Sequence, residues 1–158
     1  MSDASFNDVD PGPLALRAED AEDLQVLATL VQDAVLPLSE ISYDAHQRYL
    51  ALLLNRFRWE DAELARRESR PYERVRALMV VSDVVRVRSD GIDRADSDLV
   101  LELLTIRWQP GEDGTGCIML EFAGDGTLAV DVECLNIDLR DVTRPSIAPS
   151  GRAPHHPE

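Results

Sequence analysis

The chain has 158 residues, with 16 basic and 30 acidic side chains and a formal net charge of −14. Every basic residue is arginine, and the absence of lysine excludes a P-loop with its lysine, a Schiff-base lysine and a Ser–Lys dyad. So acidic a balance disfavours binding to nucleic acid or to an anionic membrane. The N-terminus has no signal-peptide pattern, the apolar runs are too short for a membrane span, and two cysteines suit a reducing compartment. We therefore expect a cytoplasmic protein.

Charge is distributed unevenly along the chain. Residues 1–47 carry a net charge of −9, residues 48–88 a net charge of +4, and residues 89–158 a net charge of −9. The central segment is therefore basic within an acidic protein. The preference for arginine over lysine fits the codon usage of a GC-rich genome, so we take the position of the arginines as more informative than their identity.

The first regular element is a helix over about residues 20–34. Asp20 is placed to cap it, and acidic residues in the first turn suit the positive end of the helix dipole. One apolar stripe recurs at spacings of three and four residues, formed by Leu24, Leu27, Leu30, Val31 and Ala34. Pro37 forbids continuation of the helix and makes the extended segment 35–43 an edge strand.

Alternating patterns predict strands in the middle of the chain. Strands are expected over 48–59 and 74–88, with a bulge in the second near Ser82-Asp83, and over 99–109, which is apolar on both faces and therefore central. The charged segment 60–73 between the first two permits a short helix or a mobile loop.

A hairpin follows, with strands 117–123 and about 127–134. A two-residue Asp125-Gly126 turn would mix apolar and acidic side chains on one face, which the pleat penalises. A three-residue loop with Gly126 in the left-handed conformation pairs Ile118 with Val132 and leaves one face apolar, so we predict that loop. In this register the two cysteines point to opposite sides and cannot form a disulfide.

These elements predict an α+β fold: one amphipathic helix packed on a bent, mostly antiparallel sheet, or a partly open barrel, of about six to seven strands. A barrel like that of pleckstrin-homology domains is one variant of this architecture. The expected organisation is a flexible lead at 1–13, a single domain at 14–142 and a disordered tail at 143–158 that contains prolines and histidines.

The arginines of the basic segment are the candidate binding residues. Strand parity places several of them on shared faces, where they could hold a carboxylate, a phosphate or an acidic partner segment. The alternative is that they pair with the protein's own surplus of acids. The candidates are Arg56, Arg58, Arg74, Arg76, Arg86 and Arg88. The function predicted from them is a non-enzymatic module that binds an unknown protein or a small anionic ligand.

Support for catalysis is weaker. A small carboxylate-based hydrolase with His46 as a base is the alternative, but no nucleophile elbow accompanies this histidine. His155 and His156 lie in the tail, and the spacing of the cysteines and acids matches no metal-binding motif, so we predict neither a metal site nor a cofactor. Homo-oligomerisation through the edge strand near Pro37 is compatible with either function.

Three separated segments resemble a known family. They are RAEDAEDL at 17–24, LNRFRWE at 54–60 and VDVEC at 130–134. Together they resemble a family of small bacterial proteins catalogued as a domain of unknown function, DUF2948, over about residues 14–142. The resemblance implies a cytoplasmic bacterial protein without an assigned activity, and it supplies no catalytic residues.

Overall fold

The computed structural model describes residues 12–149 and 153–154. Two α-helices and one 3-10 turn accompany the strands of this part of the chain. The helices are α1 (Ala21–Leu30) and α2 (Trp59–Arg67), with the 3-10 turn at Leu38–Glu40. The strands are β1 (Ala15–Ala18), β2 (Val35–Pro37), β3 (Ile41–Asp44), β4 (Tyr49–Phe57), β5 (Glu73–Val81), β6 (Val84–Asp90), β7 (Val100–Pro110), β8 (Gly116–Phe122), β9 (Thr127–Val132), β10 (Ile137–Asp141) and β11 (Ser146–Ile147).

The expected fold class is wrong in its proportions. The described residues form a mostly antiparallel open sheet of eleven strands with two short helices, and not one helix on six to seven strands. The order along the sheet is β1-β10-β5-β4-β2-β7-β8-β9-β6, with β3 beside β4 and β11 beside β5. The difference arises because several strands have only two to four residues, which is too short for a period of two to be visible in the sequence.

The core lies on the inner face of this curved sheet. Every second residue of β4 and β5 is buried there, including Leu52 and Met79, and strands from the other half of the sheet add Leu103, Leu120 and Val130. The chain passes from one half to the other between β5 and β6, where Asp83 adopts a φ of 57°. The predicted single strand over 74–88 with a bulge near Ser82-Asp83 is therefore wrong, because this segment forms two strands, β5 and β6, that pair with different partners.

Helix α1 begins as the sequence predicts and ends early. The Asp20 side chain accepts a hydrogen bond of 2.8 Å from the backbone N–H of Asp23, and Leu24 and Leu27 are buried. The helix ends at Leu30, short of residue 34, and Asp33 takes a φ of 64°. The backbone N–H of Asp33 then donates to the carbonyl of Leu103, which ties the end of the helix to the sheet.

The strand around Pro37 is not an edge strand. β2 pairs with β4 through Val35 and Asn55, and with β7 from Val35 to Pro37. Pro37 is tolerated because it pairs with β7 alone, so no bond to β4 is lost at this position. β2 is therefore flanked on both sides, whereas β3, which lies in the same predicted segment, pairs with β4 alone. Homo-oligomerisation through this segment stays a prediction.

The β8–β9 hairpin keeps its predicted faces in a different register. Ile118 pairs with Val130, and Leu120 pairs with Leu128, so each partner lies two residues away from the predicted one. A shift of two residues leaves every side chain on its original face because the side-chain period is two. The left-handed positions are Gly124 and Asp125, not Gly126. Both cysteines are free thiols.

Part of the predicted tail has a defined position. Within 143–158, Ser146–Ile147 form β11 against β5, and Ala148 is buried and donates its backbone N–H to the carbonyl of Tyr72. Residues 1–11 of the predicted lead, and His155 and His156, lie outside the described residues.

Replacing Gly91 by alanine should destabilise the fold more than replacing Gly114 by alanine. Both residues have positive φ angles, 70° and 83°, so each substitution carries a conformational cost of about 1–2 kcal/mol. A Cβ on Gly91 would also lie 2.7 Å from the carbonyl oxygen of Asp125, whereas a Cβ on Gly114 meets no atom within 4 Å. Urea denaturation of the two variants measures the difference, and equal losses would show that the 90–94 loop is not held against the hairpin.

Candidate functional site

Arg56 is a core residue. Its side chain is 0% exposed and projects from β4 onto the inner face, where it holds two carboxylates. The guanidinium donates to both oxygens of Glu60 at 2.9 and 2.7 Å, and to both oxygens of Asp141 at 3.0 and 2.9 Å. Asp141 is 4% exposed and also accepts from the backbone N–H of Leu14. The cluster Arg56–Glu60–Asp141 therefore joins β4, α2, β10 and the residue before β1, and its guanidinium is fully occupied.

The charges of this cluster stabilise each other. Burial acts to lower the pKa of Arg56, but its hydrogen bonds to Glu60 and Asp141 outweigh burial, so the pKa of Arg56 is raised. Burial acts to raise the pKa of Glu60, and the hydrogen bonds and charge of Arg56 outweigh it, so the pKa of Glu60 is lowered. Both groups are held in their charged forms.

The lowered pKa of Glu60 makes part of the stability depend on pH. In the unfolded chain this carboxyl protonates near its ordinary value of 4.5, and in the folded chain it protonates only at a lower pH. Its contribution is therefore present above pH 4.5 and is lost as the pH falls through the folded-state pKa. We expect the difference in unfolding free energy between wild type and Glu60→Gln to be largest at pH 7 and to shrink below pH 4.5.

Urea denaturation at a series of pH values measures that difference. Glu63→Gln is the control, because the pKa of Glu63 is also lowered, by its hydrogen bond with Arg66, but both side chains are exposed. We expect 1 M salt to abolish the effect of the Glu63 substitution and to leave most of the effect of Glu60→Gln. A difference that stays constant from pH 7 to pH 3 would contradict the assignment.

Arg58 and Arg70 belong to a neighbouring cluster, of which Arg58 and Asp61 are the buried members. Arg58 is 4% exposed and bonds to Glu73 of β5 at 2.5 Å, with Asp61 at 3.7 Å. Asp61 is 7% exposed and accepts two hydrogen bonds from Arg70, at 3.2 and 3.3 Å. Arg58 is therefore paired with internal carboxylates, as Arg56 is, and both side chains are buried.

Arg86 and Arg88 lie on β6, at the far end of the sheet from β4 and β5. Both are exposed, and both donate to Asp131 of the adjacent β9, at 3.1 and 2.9 Å. Burial acts to raise the pKa of Asp131, and the hydrogen bonds from Arg88 and Arg86 outweigh it, so the pKa of Asp131 is lowered. One carboxylate thus serves two guanidiniums on this exposed surface.

The predicted row of arginines across two neighbouring strands does not form. β4 and β5 are neighbours, but Arg56 pairs with Val75 on the inner face, while Arg74 and Arg76 point to the opposite face. Arg74 donates to the side chain and carbonyl of Asn55 at 2.8 and 3.1 Å, and burial lowers the pKa of Arg74. Whether any of the six candidate arginines binds a ligand stays a prediction.

Arg76 is the most open of the predicted residues on β4 and β5. Its side chain is 48% exposed, and the carboxylate of Glu40 lies 3.8 Å from its guanidinium. Ion pairs of this length between exposed groups contribute little free energy. An incoming carboxylate can therefore compete for this guanidinium at small cost.

The surface around Arg76 is the outer face of the sheet, which we define by Leu53, Leu78, Val80, Arg76 and Arg140. Leu53, Leu78 and Arg140 are paired across β4, β5 and β10, and Val80 occupies the next row. The three apolar side chains are half-buried and both arginines are exposed. A shallow depression of about 670 Å³ over β1, β10 and β5 is lined by Leu78, Val80 and Arg140.

Sequence reasoning missed Arg140. Among the described residues, no carboxylate lies within 4.0 Å of its guanidinium. Asp138, two residues before it on β10, forms an ion pair with Arg17 of β1 at 2.9 Å. Arg140 pairs with Leu78, and Arg76 lies two residues from Leu78 along β5. The two arginines are therefore diagonal cross-strand neighbours, a relation in which the backbone positions are typically about 7–8 Å apart. The signal that could have found Arg140 is the alternation Ile137-Asp138-Leu139-Arg140, but the phase slip after Cys134 hid it.

Other candidate chemistry finds little support. His46 is exposed in the turn between β3 and β4, which removes the geometric basis for a general base in a cleft. Cys134 lies 3.2 Å from a carboxylate oxygen of Asp83, and this hydrogen bond raises the pKa of the Cys134 thiol. Within residues 12–149 and 153–154 no helix could cross a membrane, and no group of three or more His, Cys, Asp or Glu side chains is arranged to hold a metal ion.

Comparison with known proteins gives one result. The family described as "Protein of unknown function (DUF2948)" matches residues 14–156. The chain belongs to this family. The match confirms the resemblance seen in the sequence and extends it beyond residue 142. No curated protein and no solved structure matches the chain. The DUF2948 domain thus includes β11, which packs on β5 next to the outer face.

Proposed function

We propose that this DUF2948 protein is a non-enzymatic interaction module whose outer face binds an acidic protein segment that also carries apolar side chains. The observation that carries the proposal is a pair of exposed guanidiniums, Arg76 and Arg140, beside an apolar row in a chain of net charge −14.

The apolar part of the outer face supplies contact area. Leu53 and Leu78 are cross-strand neighbours, and Val80 extends the row along β5. After β10 the chain continues beside β5, where the backbone N–H of Val142 donates a hydrogen bond to the carbonyl of Arg76. Val142 is 46% exposed and adds to the apolar surface. Apolar side chains at alternate positions of an extended segment would cover this surface and remove it from water.

The positive charge of Arg76 and Arg140 on the outer face favours a negatively charged partner segment. Two guanidiniums at diagonal spacing favour a segment that presents two carboxylates, and each bond would be charge-assisted. The net charge of −14 repels large polyanions at long range, which disfavours nucleic acid and anionic membranes and leaves a short acidic segment as the best fit. The two free thiols suit the reducing cytoplasm.

A peptide titration tests the proposal. A twelve-residue peptide of repeated Glu-Glu-Leu-Leu units, which presents both residue types on each face of an extended segment, should shift the amide signals of β4, β5 and β10 of ¹⁵N-labelled protein saturably. A matched peptide with lysine in place of glutamate should not do so. The response should weaken as salt rises from 50 to 500 mM. Equal responses to both peptides, or shifts confined to other strands, would contradict the proposal.

A further inference from the structure

A second open site lies on the opposite side of the sheet, where β3 approaches β6 without pairing to it. It is an apolar groove of about 250 Å³, which we call the β3–β6 groove. Its apolar lining includes Ile41 of β3, Leu50 of β4, Val87 of β6, Leu128 of β9, and Ile92 of the loop after β6. Leu50 and Leu128 are 1% and 6% exposed, so the floor of the groove is the core itself.

One cation stands at the rim of this groove. Arg94 lines it and is exposed, and no carboxylate in the described part of the chain lies within 4.0 Å of its guanidinium. This is unexpected, because Asp93 and Asp96 are its near neighbours in sequence. Those carboxylates instead accept hydrogen bonds from backbone N–H groups of the same loop, Asp93 from Ala95 at 3.1 Å and Asp96 from Asp98 at 3.2 Å.

The loop that carries Arg94 is fixed by close backbone contacts. Gly91 approaches the carbonyl of Asp125 so closely that a Cβ would lie 2.7 Å from its oxygen. A Cβ on Gly126 would lie 2.9 Å from the Cγ1 atom of Ile92. The loop is therefore packed against the β8–β9 turn at Gly91 and at Ile92, two residues before Arg94.

We propose that the β3–β6 groove binds a small apolar carboxylic acid. The hydrocarbon part lies against Ile41, Val87 and Ile92, and the carboxylate is bound by the guanidinium of Arg94, which suits a bidentate acceptor. Ser89 and Tyr43 also line the groove, and each carries a hydroxyl that can donate a hydrogen bond. A volume of about 250 Å³ lies below the range of sites for drug-sized molecules, which limits the ligand to a short branched or aromatic acid.

The acidic residues of the loop that carries Arg94 repel an anionic ligand. Asp90, Asp93, Asp96 and Asp98 give the surroundings a negative potential that opposes any anion at long range. Binding of a carboxylate must therefore depend on direct contact with Arg94. A neutral amide of the same shape keeps the apolar contacts and loses the ionic one, so comparison of acid and amide isolates the contribution of the arginine.

Titration with 4-methylpentanoate, followed by the ¹³C methyl signals of Ile41, Ile92 and Leu50, tests the proposal. We expect saturable shifts of these signals, and at least tenfold weaker binding of 4-methylpentanamide. Arg94→Gln should weaken binding of the acid at least tenfold and leave binding of the amide unchanged. Arg144→Gln is the control, because Arg144 is also exposed but lies in the segment after β10.

Three outcomes would overturn the proposal: equal affinity for acid and amide, an affinity for the acid that Arg94→Gln leaves unchanged, or shifts located on the outer face. Methyl shifts that depend on protein concentration in the absence of ligand would assign the groove to a second copy of the chain. The measurement is independent of the peptide titration, because the two sites lie on opposite faces of the sheet.

Discussion

Arg56→Met should lower the free energy of unfolding by about 3–5 kcal/mol, which is the usual effect of removing one member of a buried ionic cluster. Arg56 is 0% exposed, and Asp141 is 4% exposed with both carboxylate oxygens bonded to the guanidinium. Methionine fills a similar volume but leaves the carboxylate of Asp141 buried without its countercharge. Urea denaturation at pH 7, followed by circular dichroism, measures the loss.

Two further variants distinguish the cost of leaving the Asp141 carboxylate without its countercharge from the cost of lost packing. Arg56→Met combined with Asp141→Asn should recover part of the stability, because asparagine removes the charge while its carbonyl still accepts from the backbone N–H of Leu14. Arg66→Met, which breaks an exposed pair with Glu63, should have little effect. A double variant no more stable than Arg56→Met alone would assign the loss to packing, and an unchanged Arg56→Met would refute the buried cluster.

The sequence could predict on which face of β4 the Arg56 side chain lies, but it could not predict that this side chain is fully buried. Strand parity places it with Leu50, Leu52 and Leu54, which are all buried, so alternation alone puts the guanidinium on the inner face. Its burial depends on Asp141, which is 85 residues away in sequence and belongs to a strand that alternation did not reveal. Arg56 and Arg58 are buried and paired with internal carboxylates, which is the alternative that the sequence left open, and ligand binding by the six arginines stays a prediction.

Local patterns predicted local structure well. The cap at Asp20 and the apolar face of the β8–β9 hairpin are both present, whereas the position of the expected bulge, Ser82-Asp83, is the boundary between two strands, β5 and β6. The number of strands was wrong because several strands have only two to four residues, and because the phase slip after Cys134 hid the alternation of β10. The same limit hid the outer face, since Arg76 and Arg140 are 64 positions apart and become neighbours only through this pairing.

Reversing the charge of both arginines on the outer face should abolish binding of the acidic peptide. Arg76→Glu/Arg140→Glu replaces two attractive contacts by two repulsive ones, and we expect the affinity to fall at least a hundredfold. Both side chains are exposed, and the nearest carboxylate to Arg76, that of Glu40, lies 3.8 Å away, so the substitutions disturb little internal structure. Fluorescence anisotropy of the labelled peptide gives the Kd, and thermal unfolding checks that the variant is folded.

The matched control is Arg86→Glu/Arg88→Glu, which makes the same change in net charge on β6. A long-range effect of total charge would weaken binding equally in both double variants, whereas contact at the outer face predicts loss in the first and near-normal affinity in the second. Leu78→Ser tests the apolar contribution to binding separately, because it keeps both arginines and removes apolar area from the row beside them. We expect it to weaken binding with little change in salt dependence. If the peptide binds all three variants as it binds wild type, the outer face is not the binding surface and the arginines there serve solubility alone.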